Sequence, residues 1–120
     1  MKRILIVGGG AAGIAAALQA ARTNPIAQIT ILERLDRVGK KILATGNGRC
    51  NLGNWGIVPE IYHSRTPDRL AQLLEQMPAD KTIRFFEQLD LLITTDDAGR
   101  IYPYARQASM VLDILLHALQ

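Results

Sequence analysis

The sequence carries a single cysteine, Cys50, among 120 residues. A lone thiol excludes an intrachain disulfide and a C-x-x-C metal or redox pair, so a reducing, cytoplasmic setting is expected. Aromatics amount to 5%, and no Lys/Arg run is interleaved with them, so the pattern of a nucleic-acid reader is missing. Repeats and low-complexity tracts are absent as well, which argues against solenoid and disordered classes. A sustained apolar run is also lacking. Residues 4–21 are uncharged behind Lys2 and Arg3, but they contain Gly8, Gly9, Gly10, Gly13 and seven alanines. The strongly apolar part stops at the glycines, so the stretch reads as a strand and a turn, not a signal peptide or a membrane span.

What is present is the composition of a globular domain, with 48% hydrophobic and 21% charged residues. At this length one domain, or part of one, is the ceiling. The net charge of +3 is uneven: residues 1–60 hold 8 Lys+Arg against 3 Asp+Glu, and residues 61–120 hold 6 against 8. A modest basic excess in the first half fits a phosphate-bearing ligand.

Residues 4–7 are continuously apolar, as a strand covered on both faces of a parallel sheet requires. An Ala-rich helix is expected over 11–22, ended by Thr23, Asn24 and Pro25, and a second strand over 28–33. Strand, helix and strand within residues 1–33 make a βαβ unit. Residues 34–56 form a loop rich in Gly, Asn and basic residues, with a short helix near 40–44; such a loop supplies little core and approaches a ligand. The segment 57–90 is helical, with Thr66 as N-cap and Pro67 opening a helix to Met77, then a second from Pro78 to about Leu89. Phe85 and Phe86 are expected in packing. Residues 91–104 read as a β-hairpin turning at 96–99, where Asp96 and Asp97 serve the turn and not a catalytic pair. Residues 105–120 hold a helix whose apolar face comprises Val111, Ile114, Leu115 and Ala118, prepared for a strand that this sequence does not supply. The fold class is thus α/β, a Rossmann-like βαβ unit with a parallel sheet, a helical segment and a hairpin, incomplete as a domain.

Gly8, Gly10 and Gly13 spell G-x-G-x-x-G between strand and helix, with Ala17 four residues on and Glu33 at the end of the second strand. Gly8 permits the tight turn, Gly10 admits a pyrophosphate to the backbone, and Gly13 lets the helix pack closely. The diphosphate faces the helix N-terminus, opened by Ala11 and Ala12. Glu33 accepts hydrogen bonds from a ribose, and its charge disfavours a 2′-phosphate in the same pocket. FAD and NAD both satisfy this unit. The next segment offers Lys40, Lys41 and Arg49 as cations, Thr45, Asn47 and Asn51 as polar groups, and Gly46 and Gly48 as points of close approach, suited to a second phosphate or a flavin edge. Cys50 sits beside Arg49. His63 and His117 have no ligand partners at metal spacing, so no metal site is expected.

The runs LIVGGGAAGIAAA, GKKILATGNGRCNLGN and GRIYPYARQASMVLDIL, with Glu33, resemble the aminoacetone oxidase-like or BaiN-like family of NAD(P)/FAD-dependent oxidoreductases. The resemblance covers nearly the whole sequence and corresponds to the N-terminal part of that family. It implies that Gly8, Gly10, Ala12, Gly13 and Glu33 hold the ADP half of FAD, that residues from Lys40 to Asn51, including Cys50, run along the pyrophosphate toward the flavin, and that NAD(P)H is a possible electron donor. Two departures stand out: Gly53 replaces the family's usual Thr, and Asp90 replaces a Gly before the hairpin. The family is several times longer, so this portion alone is expected to be inactive and to need a downstream domain or to self-associate. Its small-molecule substrate lies outside the residues at hand.

Overall fold

The computed structural model describes all residues from Met1 to Gln120. They form two compact units, Met1–Cys50 with Gln107–Gln120, and Asn51–Arg106.

In the first unit β1 (Arg3–Val7) and β2 (Gln28–Leu32) pair in parallel, in the register Arg3↔Gln28 through Val7↔Leu32. α1 (Ala11–Thr23) connects them and buries Ile14, Ala17 and Leu18. Small residues at most other positions let this helix lie close to the strands. Burial along both strands alternates: Ile4, Ile6, Ile29 and Ile31 are half-buried, whereas Leu5 is 61%, Val7 82% and Leu32 51% exposed. Within these residues, one face of the strands expected to be covered on both sides is packed and the other is exposed. α1 packs against one face of this two-stranded sheet, and strand periodicity places Leu5, Val7 and Leu32 on the other.

Residues 40–48 form two helical turns across a kink at Thr45, Gly46 and Asn47, a longer element than the one expected. The loop also supplies core, contrary to expectation: Gly39, Ile42 and Cys50 are buried. The reason is α4 (Ala108–Ala118), which packs on this segment. Its buried face comprises Ala108, Val111, Leu112 and Leu115, while Ile114 is half-buried and Ala118 exposed. The helix is rotated from the expected face because it meets the 40–48 segment instead of awaiting a strand.

The second unit centres on an antiparallel sheet in the order β3 (Gly53–Asn54), β5 (Arg100–Pro103), β4 (Ile93–Thr95). Its core holds Ile83, Leu91, Ile101 and Tyr102. β3 is invisible to propensity because it is two residues long and consists of Gly and Asn; it exists through pairing of Gly53 with Ile101 and Asn54 with Arg100. α2 (Pro67–Gln76) begins with Pro67, but Thr66 makes no side-chain cap. Instead the Thr66 N–H donates to Ser64 Oγ at 3.0 Å. In α3 (Ala79–Glu87), Phe85 and Phe86 stand edge to face with centroids 5.2 Å apart.

Both departures from the resembled family have a structural account. Asp90 adopts φ +62°, the left-handed region that glycine fills most easily and Asp tolerates. At Gly53 a Cβ would meet only Ile101 Cδ1, at 3.8 Å, an ordinary contact, so the position has room for a β-carbon.

Candidate dinucleotide site

The site grows from the turn between β1 and α1. Gly8 has φ +99°, which L side chains rarely adopt, and its N–H extends the β1–β2 ladder by donating to the Leu32 carbonyl at 2.7 Å. A Cβ on Gly13 would collide with the Gly8 carbonyl oxygen, so the close approach of α1 to the turn requires glycine there. Gly10 is the N-cap of α1 and offers no side-chain cap. A Cβ on Gly10 would meet nothing within 4 Å. Open space thus borders a helix terminus whose first amides have no intrahelical acceptors, including those of Ala11 and Ala12.

Glu33 follows β2 directly and faces this turn. Its Oε2 accepts the Gly9 N–H at 2.7 Å and its Oε1 accepts the Leu35 N–H at 2.8 Å. The Leu35 and Gly9 amides, with smaller help from the Arg34 amide and Lys41, hold this carboxyl below the usual glutamate value of 4.5. The Gly9 carbonyl in turn accepts the Gly39 N–H at 2.7 Å.

These groups border a cavity of about 310 Å³ lined by residues 7–10 and 32–35 with Lys40 and Lys41. The structure therefore brings together Gly8, Gly10, Glu33, Lys40 and Lys41. Lys40 is ion-paired with Asp36 at 2.8 Å, and that bond holds the Asp36 carboxyl below its ordinary value.

The residues that follow are not in the lining of this cavity. Thr45 Oγ1 donates to the Ile42 carbonyl at 2.6 Å, Arg49 Nε to the Gly46 carbonyl at 3.2 Å, and the Cys50 N–H to the Thr45 carbonyl at 3.0 Å. Gly46, Asn47, Gly48 and Cys50 all have positive φ. These bonds stabilise a loop that local propensity disfavours. Asn51 belongs to the second unit, where its Oδ1 accepts the Gly53 N–H at 3.0 Å. No group of three His, Cys, Asp or Glu is placed to hold a metal, and no helix is long and apolar enough to cross a membrane.

Sequence reasoning passed over Gly9 and Gly39. Gly9 occupies a variable position of the G-x-G-x-x-G spacing, and Gly39 precedes the basic pair Lys40–Lys41 without a motif of its own. Their hydrogen bond depends on a tertiary approach. The available signal was a glycine placed directly before a helical turn.

Comparison with known proteins decides the family. The model of the HI0933-like protein Rossmann domain matches residues 2–120. The chain belongs to the HI0933-like family. Among relatives of this HI0933-like domain, the 3-dehydro-bile acid delta(4,6)-reductase of Clostridium scindens is 48% identical over 115 residues, covering 96% of this chain and 28% of that protein. The ribosomal RNA dihydrouridine synthase of Haemophilus influenzae is 36% identical over 63 residues, covering 52% of this chain and 15% of that protein. The matched region of the HI0933-like domain thus spans 28% of the first relative's length and 15% of the second's.

Proposed function

We propose that this Rossmann domain is the FAD-binding portion of a flavin-dependent oxidoreductase. The observation that carries the reading is the open cradle at Gly10, which adjoins the α1 N-terminus and shares one cavity with Glu33. The α1 amides would receive the diphosphate and Glu33 the ribose hydroxyls, with Lys41 adding positive charge at the rim. The Glu33 carboxylate accepts the Gly9 and Leu35 amides, with the Arg34 amide also acting on it, and as a four-site acceptor it retains capacity for a hydroxyl. When bound, the isoalloxazine would supply hydride or electron transfer, with NAD(P)H as the donor class. The redox reading is supported by the two relatives, one named as a reductase and the other for making a dihydro product. Residues Thr45 to Asn51 are proposed to continue the cofactor site toward the flavin, on the family resemblance. The acceptor is proposed to be a small molecule, in a cytoplasmic setting that suits the single thiol. The bare face at Leu5, Val7 and Leu32 is proposed to be covered by further chain or by self-association.

The test is flavin titration of this domain joined to its downstream chain, and of Gly10→Val in the same protein, followed by flavin absorbance and fluorescence. The wild type is expected to bind FAD, and Gly10→Val to lose it with helicity unchanged, because the side chain fills the diphosphate's space. Equal FAD affinity in the variant contradicts the assignment. Binding of ADP without FAD would favour a non-catalytic nucleotide-binding module instead.

A further inference from the structure

The Gly9 residue is held at both of its backbone polar atoms. Its N–H donates to Glu33 Oε2 at 2.7 Å, and its carbonyl accepts the Gly39 N–H at 2.7 Å. Because each peptide unit is planar and trans, fixing one of its polar atoms directs the other to the opposite side. The Glu33 bond orients the peptide between Gly8 and Gly9, and hence the Gly8 carbonyl against which Gly13 packs. The Gly39 bond orients the peptide between Gly9 and Gly10, and hence the N–H of Gly10, a residue that lines the cavity. Two successive peptide planes of the turn are thus set by two groups outside it.

Gly39 is itself enclosed by its surroundings. It is buried at φ +76°, and a Cβ there would collide with Leu112 Cδ1 of α4 and reach Ile14 Cδ1 of α1 at 3.5 Å. Its carbonyl accepts the Ile42 N–H at 2.9 Å, which ties it to the 40–48 segment on which α4 packs.

We infer that Gly39, wedged against Leu112 of α4, is a positioning residue for dinucleotide binding, acting by aiming the Gly10 amide. The inference rests on the cavity being a dinucleotide site. It makes ligand affinity depend on a helix more than sixty residues away in sequence that does not line the cavity. No charge is involved on the Gly39 side; the device is a hydrogen bond and a shape fit, and it needs glycine for its backbone conformation, while a methyl group there would also displace the end of the Leu112 side chain.

The experiment compares ADP affinity by calorimetry in the full-length wild-type chain, Gly39→Ala, Leu112→Ala and the double variant, with helicity and amide chemical shifts recorded on the same samples. The expected result is a loss of about tenfold or more in ADP affinity for folded Gly39→Ala, with a displaced Gly10 amide resonance. Removing Leu112's side chain in the same molecule restores part of that affinity by making room for the new methyl group. A purely structural glycine gives the opposite pattern, with affinity following the folded fraction and the double variant worse than either single one. Wild-type affinity in folded Gly39→Ala overturns the inference while leaving the dinucleotide reading intact, and a wild-type chain that ignores both ADP and FAD overturns both. Should Gly39→Ala fail to fold, an amide-to-ester exchange at residue 39, assembled by ligation at Cys50, replaces the N–H by oxygen without adding a side chain. Unchanged ADP affinity in that molecule overturns the inference.

Discussion

Glu33 shows how a residue readable from spacing gains a second role in three dimensions. Its place after the second strand marks it as a ribose acceptor, yet in the structure its carboxylate also bonds the Gly9 and Leu35 amides. Bonds to the ionised form lower its folded pKa, so they contribute stability fully above the usual value of 4.5, and this is lost as pH falls through the lowered folded value. The expected outcome is that the Gly9 and Leu35 amide resonances titrate together with a midpoint below 4.5, and that Glu33→Gln removes the titration. Independent or absent titration in the wild type would show that the carboxylate is not their acceptor. Gly8, Gly10 and Gly13 were legible because each is glycine for a local reason, a positive φ, an open cradle or a close backbone approach. Gly9 and Gly39 were not, because their pairing joins residues thirty apart through folding. Arg49 and Thr45 were legible as polar groups, but their bonds to loop carbonyls follow from the left-handed run at 46–48, which no side-chain pattern announces.

At the scale of elements, the hairpin was plain in the sequence and its chemistry is local. Gly99 at φ +76° permits the turn, and Asp96 Oδ1 accepts the N–H groups of Ala98 and Arg100, each at 3.0 Å. Its Oδ2 accepts Arg100 Nε at 2.8 Å. Partial burial pushes the Asp96 carboxyl up, but the amide and guanidinium of Arg100, with the Ala98 amide, outweigh this and hold it below its usual 3.8. Its contribution to stability is therefore present above pH 3.8 and disappears as pH falls through the lowered value. Thermal unfolding across pH is expected to show Asp96→Asn less stable than wild type near neutrality, with the gap closing below pH 3.8; a gap independent of pH would contradict the role. The strands β1 and β2 and the helices were similarly legible from apolar runs, Pro67 and the glycines. The register face of α4 was not, since a helix with apolar residues on more than one side is oriented by its partner, here the 40–48 segment. The strand β3 has no propensity to read and exists only as a partner of β5.

For the whole molecule, the chain order of segments conceals that the first unit is discontinuous, with Gln107–Gln120 joining Met1–Cys50. Nothing in local periodicity carries that information; it arises because Val111, Leu112 and Leu115 find their apolar partners in a loop that reads as polar. The glycine turn, Glu33 and the basic pair Lys40–Lys41 come from three separate stretches, and folding of this unit alone assembles them around one cavity. That the assembled cavity is a dinucleotide site is the central claim. Its most direct test is a titration of the isotopically labelled full chain with ADP, followed through the backbone amide resonances. The account predicts saturable shifts concentrated at residues 8–13, at Glu33 and Leu35 and at Lys41, and their loss in Gly10→Val. Shifts confined to residues 51–106, or none at millimolar ADP, would contradict it.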